Sequence, residues 1–176
     1  MGYVFQIRDQ SAAHFVTFTV HQWIDVFTRN EYKDIIINSL QFCQKNKGLE
    51  VYSWVIMSNH IHLIIRSSQD NLSDIIRDFK KFTAAKVIQA IENNPRESRK
   101  RWLLWLLKKE DSINFWQDGY HGEEVYSRSF YQTKENYIHQ NPVRAGIVMK
   151  EEEYLYSSAP VRYGLIKGQL DLNDFD

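Results

Sequence analysis

The order of apolar patterns along the chain predicts an α+β protein: a ferredoxin-like βαββαβ sandwich with an antiparallel sheet and one added helix. Three observations carry this. His14-Phe-Val-Thr-Phe-Thr-Val20 alternates and is rich in β-branched and aromatic residues, as a strand is. Two long stretches repeat their apolar residues at helical spacing. Between those stretches lie two β-rich runs separated by Ser58-Asn59, a turn-forming pair.

The first helix is expected over 31–47, with Ile35, Ile36, Ser39, Leu40 and Cys43 on one stripe and Gly48 as its stop. Residues 50–57 and 60–66 form the hairpin. The second helix spans 71–93, with Leu72, Ile75, Ile76, Phe79, Ala84, Val87, Ile88 and Ile91 at its apolar positions and Asn71 or Ser73 as N-cap. A polar connection, 95–101, leads to Trp102-Leu-Leu-Trp-Leu-Leu-Lys-Lys109, which is apolar and then basic. A short strand and loop fall within 115–126, and a helix over 129–140 follows, capped by Ser127 or Ser129. Beyond it come shorter elements and an acidic end, 171–176. The expectation is one domain over 1–176, with a core at about 10–150 and an extension at 151–176.

The chain has 176 residues, with 22 Lys+Arg against 22 Asp+Glu. Only 7 Gly and 3 Pro, beside 14% aromatic residues, exclude collagen, a flexible linker and a disordered tail. The single cysteine, Cys43, excludes an intramolecular disulfide and a Cys-based zinc cluster, and it reads as a buried thiol. Residues 1–20 contain Arg8, Asp9 and His14 without an unbroken apolar run, so no signal peptide is expected. No stretch is long and apolar enough for a membrane span, and a cytoplasmic location, nucleoid-associated when on DNA, is expected.

Neutral net charge conceals an uneven distribution. Between Arg77 and Lys109 there are ten basic residues against three acids. Such an excess can neutralise several phosphates, and it can equally be a solvated helix face. Lys80, Lys81, Lys86, Arg99, Lys100 and Arg101 are the candidate DNA contacts within it, with Arg144 as a phosphate contact or helix cap. Trp102, Trp105 and Trp116 are candidates for stacking on unpaired bases, although an apolar run also suits a core or a partner-facing helix.

Two motifs carry chemistry. In Ser58-Asn59-His60-Ile61-His62-Leu63 the alternation of a strand puts both imidazoles on one face, ~7 Å apart along the backbone. There they can share one metal ion, or simply face solvent. In Tyr137-Ile-His-Gln-Asn141-Pro142-Val-Arg144-Ala-Gly146, Tyr137 and Asn141 are four residues apart and share a helix face. Pro142 disfavours helical geometry at Asn141, so the helix is expected to end or kink there, with Asn141 a possible cap for a new turn. His139 points away from the Tyr137 face and reads as a solvent-exposed helix residue.

Together, His-Ile-His and Tyr-Ile-x-x-Asn-Pro-Val-Arg-Ala-Gly resemble the single-tyrosine HUH transposases, and within them the REP-associated tyrosine transposases of the IS200-like superfamily. The likeness extends over Phe15-Val-Thr-Phe18, Val55 through Leu63, Phe79-Lys-Lys-Phe-Thr83, Phe115-Trp-Gln117 and Tyr156-Ser-Ser-Ala159. The resemblance implies the same ferredoxin-like fold. It implies that His60, His62 and Asn141 bind one Mg²⁺ or Mn²⁺, with no nucleotide cofactor. Tyr137 would then attack a phosphodiester of single-stranded or hairpin (REP-like) DNA, giving a 5′-phosphotyrosine and a free 3′-OH. The family includes both monomers and homodimers. A relative that binds structured DNA without cutting it is the alternative.

Overall fold

The computed structural model describes residues 7–110 and 112–176, so the first six residues of the 1–20 stretch lie outside the described residues. Strand β1 (His14–Thr19) leads through a 3-10 turn, His21–Trp23, to helix α1 (Asn30–Lys47). Gly48 ends α1 with φ +70°, a left-handed position at which glycine carries no Cβ penalty. The hairpin follows as β2 (Leu49–Ile56) and β3 (His60–Ser67). Then come α2 (Leu72–Asn93), α3 (Lys100–Leu107), a two-residue ribbon of β4 (Lys108–Lys109) and β5 (Ser112–Ile113), β6 (His121–Glu124), α4 (Arg128–Arg144) and α5 (Ala159–Arg162). The main sheet has the order β2-β3-β1-β6, with every neighbouring pair antiparallel. This is the expected α+β architecture.

Each face of the sheet has its own apolar layer, because successive side chains on a strand point to opposite sides. Val16, Phe18, Ile61, Leu63 and Ile65 join Ile36, Leu40, Ile75, Phe79 and Ile88 of α1 and α2 in the main core. Phe15, Tyr52, Val55 and Ile64 meet Tyr131 and Ile138 of α4 on the second face. The histidines of β3 have the parity of Ile64, so they belong to the second face. They pair across the sheet with Thr19 and Thr17 of β1.

Docking of α4 has a polar component. His139 is buried, and its Nε2 lies 2.8 Å from Ser158 Oγ and 3.3 Å from Ser53 Oγ. This corrects the reading of His139 as solvent-exposed. A shift of register between Val51 and Ser53 puts two consecutive residues, Tyr52 and Ser53, on the α4 side, and so brings the Ser53 hydroxyl under the imidazole. The segment after α4 supplies the other partner. Backbone bonds from Ile56 to Tyr156 and from Ser158 to Trp54 lay residues 156–158 along β2, and Asn173 bonds Val51 further along. The outer edge of the sheet is thereby covered.

Two helix boundaries differ from expectation. Helix α4 does not stop near Gln140 but continues through the buried Pro142 to Arg144, so Asn141 is helical and caps no new turn. Burial of the Pro142 ring offsets its missing N–H. At α2, neither Asn71 nor Ser73 caps through its side chain; Gln10 Oε1 instead accepts from the Ser73 amide at 2.8 Å, while Asn71 Oδ1 accepts from Ser67 Oγ. Ser127 does cap α4, accepting from the Phe130 amide. Cys43 is buried as expected.

Burial pushes the His139 pKa below its ordinary value of 6.5. The folded chain thus keeps the ring neutral where the unfolded chain would take up a proton, and stability should fall as pH drops below about 6.5. Thermal melts are expected to show a lower midpoint at pH 5.5 than at pH 7.5, with His139→Gln reducing that difference. Equal midpoints for the parent protein at both pH values would contradict this.

Candidate active site

Strand β3 brings the two imidazoles to the second face, and α4 lays Tyr137 over them. The His60 and His62 ring centroids are 4.7 Å apart, closer than the backbone spacing because the rings lean together. The Tyr137 ring lies 5.3 Å from His62, edge to face, within the same chain. Phe15 stacks on His62 at 5.5 Å and meets Tyr137 at 5.9 Å, so it wedges the two in place. His62 is 5% exposed and Tyr137 43%, which buries the ligand-type side chain and leaves the phenol accessible.

Hydrogen bonds fix which ring nitrogens face the site. Asn59 Nδ2 donates to the Trp23 carbonyl, which can only accept. That leaves Asn59 Oδ1 to accept from His60 Nδ1–H at 2.7 Å, so Nε2 of neutral His60 carries a lone pair. On His62, Nδ1 lies 2.7 Å from Thr17 Oγ1, while the buried Nε2 has no hydrogen-bond partner among the described residues. A buried polar atom without a partner is costly, and with Nδ1 donating to Thr17 the Nε2 atom carries a lone pair that could hold a metal ion. Burial, followed by the His60, Arg144, Lys134 and His121 charges, lowers the His62 pKa to about 3; burial also lowers that of His60. Both rings are therefore neutral, and able to ligate, at physiological pH.

One stripe of α4 carries Tyr137 to this pair. Lys134, Tyr137, Asn141 and Arg144 follow at steps of three, four and three residues. The Lys134 ammonium sits 4.5 Å above the Phe15 ring and 2.7 Å from Glu123. The Arg144 guanidinium lies 4.5 Å from the Tyr137 ring centre and donates to the Tyr137 carbonyl at 2.9 Å. Arg144 thus reaches back along α4 and packs against the Tyr137 ring at once. Asn141 is half-buried one turn beyond Tyr137, and its side chain makes no hydrogen bond among the described residues.

Beside Tyr137 opens a cleft of about 780 Å³, lined by Trp23, Thr17, His62 and the 117–121 segment among others. Lys80 braces that segment: its ammonium donates to the carbonyls of Gln117 (3.1 Å) and Gly119 (2.6 Å), and burial lowers its pKa. Lys80 is therefore a strut rather than an open DNA contact.

The basic stretch is likewise placed away from the histidines. Helix α2 packs on the opposite face of the sheet, and several of its neighbours' charges are used internally. Arg99 bonds Glu97, the Asp25 carbonyl and Thr28; Lys100 donates to the Glu92 carbonyl; Lys108 pairs with Glu92. Lys81, Lys86 and Arg101 remain exposed. Trp116 is 8% exposed in the main core, with its N–H given to Thr83, so it offers no face to a base. In α3, Leu103 and Leu107 are buried whereas Trp102 and Trp105 are exposed. Thr17, Trp23, Asn59 and Lys134 were not among the expected site residues. Thr17 and Lys134 follow from strand parity and helix spacing, but the Trp23–Asn59 link joins distant segments and has no signal in sequence.

The model of the family described as transposase IS200-like matches residues 8–141. The chain belongs to this family. No curated protein sequence matches it. Among solved structures it is similar to a REP-associated tyrosine transposase bound to a REP hairpin, with 19% identity over 99% of this chain and 95% of that one and a TM-score of 0.68. A protein of Deinococcus radiodurans R1, described as a candidate transposase, is 17% identical over 78% of this chain and 92% of its own, with a TM-score of 0.45. The family likeness covers the His pair, Tyr137 and Asn141.

The bracing role of Lys80 is testable. Lys80→Met removes a charged donor from two carbonyls and should cost about 1–3 kcal/mol in urea unfolding. A change below about 0.5 kcal/mol would contradict it.

Proposed function

We propose that this chain is a metal-dependent DNA strand transferase whose nucleophile is Tyr137. The observation that supports this most directly is the meeting, in one chain, of an accessible phenol with a pair of neutral imidazoles, 5.3 Å from the nearer ring. In the proposed reaction the Tyr137 oxygen forms a bond to phosphorus of a single-stranded or hairpin DNA phosphodiester. The bond to the 3′ oxygen breaks, that oxygen takes a proton, and the DNA 5′ phosphate stays on Tyr137. Attack by a 3′-OH on the phosphotyrosine reverses these bonds and joins strands, so no water or nucleotide is consumed.

The residues fit one divalent cation, Mg²⁺ or Mn²⁺: the His60 and His62 Nε2 atoms are oriented by Asn59 and Thr17, and Asn141, on the Tyr137 stripe, is the third ligand expected from the family. Such an ion supplies Lewis-acid polarisation of a phosphate oxygen and a template for the reacting group. The chain's own groups do the rest. Tyrosine ionises near pH ~10, so the phenol needs assistance. Arg144, over the ring, favours developing phenolate charge, and Lys134, one turn earlier, adds a cation on the same stripe. Phe15 limits rotation of the phenol, and burial of His62 keeps water from its ligand nitrogen. The hairpin in the related structure suggests a folded single strand as substrate.

Incubation with Mn²⁺ and hairpin-bearing single-stranded oligonucleotides should give a covalent protein–DNA band that is absent from Tyr137→Phe and from samples with chelator. An unchanged band in Tyr137→Phe would overturn the assignment, and hairpin binding with neither cutting nor metal retention would favour a non-catalytic binding protein. Asn59→Ala should weaken Mn²⁺ binding by about 10–100-fold in calorimetric titrations, because it frees the His60 ring. Unaltered affinity would show that Asn59 does not orient the ligand.

A further inference from the structure

Trp23 is not explained by the chemistry above. Its indole is 58% exposed, yet it stands edge-on to His60 at 5.9 Å, at the rim of the cleft beside Tyr137. Its backbone is held in the left-handed region at φ +57°, next to Gln22 at φ +53°. Non-glycine residues adopt such angles at a cost, and two in succession persist only where surrounding bonds impose them. Here the Trp23 amide donates to the Val20 carbonyl, and Asn59, the residue that orients His60, donates to the Trp23 carbonyl. The fold thus accepts strain to hold an exposed indole against a ligand-type histidine.

The rest of the cleft lining indicates what the indole meets. It includes the Lys80-braced segment with Gln117 and Asp118, an amide and a carboxylate, and Lys134, whose charge is paired with Glu123. Asp118 disfavours a second phosphate there, whereas a neutral base with hydrogen-bonding edges suits such a wall. We propose that this cleft is a subsite for one unpaired nucleobase of single-stranded DNA, adjoining the phosphate attacked by Tyr137, with Trp23 as its stacking platform. The subsite rests on the strand-transferase reading and adds to it: it requires the nucleotide beside the cleaved bond to be unpaired, and it makes Asn59 a mechanical link between base binding and His60.

The test measures binding by fluorescence anisotropy in the Tyr137→Phe protein, which does not cut, using hairpin oligonucleotides with single-stranded flanks and a scan of abasic positions. Adding Trp23→Ala should weaken binding about 5- to 150-fold, the range for loss of one base–aromatic stack, and Trp23→Phe should restore most of it. An abasic nucleotide at one flank position should weaken binding by the Tyr137→Phe parent similarly, and at that position the parent and its Trp23→Ala variant should bind equally. Should Trp23→Ala fail to fold by circular dichroism, Trp23→Phe must show a smaller loss that disappears at the same abasic position. Affinity within about twofold of the parent for Trp23→Ala, or a loss that no abasic position removes, would overturn the subsite alone. Absence of any binding by the Tyr137→Phe parent would overturn the subsite together with the strand-transferase reading.

Discussion

A buried imidazole holds α4 on the second face of the sheet, and the candidate site depends on that placement. His139 finds its polar partners in Ser53, turned upward by the register shift in β2, and in Ser158, brought back by the segment after α4. Ile138 and Tyr131 add apolar contact with the same face. With these anchors set, the helical period carries Lys134, Tyr137, Asn141 and Arg144 toward β3. A helix displaced by one residue would aim His139 outward and take Tyr137 off the His pair. A side chain that takes no part in the proposed chemistry therefore fixes the geometry of those that do.

The second requirement is electrostatic. Burial disfavours protonation of both imidazoles, whose centroids are 4.7 Å apart, and at His62 the charges of His60, Arg144 and Lys134 add to the effect. The site is thereby suited to a cation or a phosphate-bearing ligand while its own histidines stay uncharged. Elsewhere the cations between Arg77 and Lys109 are partly engaged in the interior, with Lys80 holding the cleft wall and Arg99 holding the Glu97 corner. Lys81, Lys86 and Arg101 stay exposed on that layer, away from the His pair, and the cations that matter to Tyr137 are the two on its own helix.

The order of elements along the chain, the hairpin, both long helices and the shared face of His60 and His62 were legible because they follow from local periodicity. So was the Tyr137–Asn141 spacing. The helix end at Pro142 was misread because local preference at a residue before proline yields to tertiary packing. His139 was misread for a related reason: its burial depends on a β-bulge and on residues 156–158, neither of which shows in the pattern around it. Trp116 and Lys80 looked like nucleic-acid contacts by residue type, whereas their neighbours in space, Thr83 and the Gln117 and Gly119 carbonyls, give them interior roles. Long-range partners decide these positions, and a single sequence does not display them.

In the proposed function, the second face of the sheet presents His60 and His62 as one metal site under Tyr137. Anomalous diffraction from crystals grown with Mn²⁺ tests it most directly. One strong peak is expected within coordination distance of both Nε2 atoms, next to the Tyr137 phenol and in reach of Asn141. A peak elsewhere on the chain, or no peak at saturating Mn²⁺ with the histidine pair intact, would contradict it.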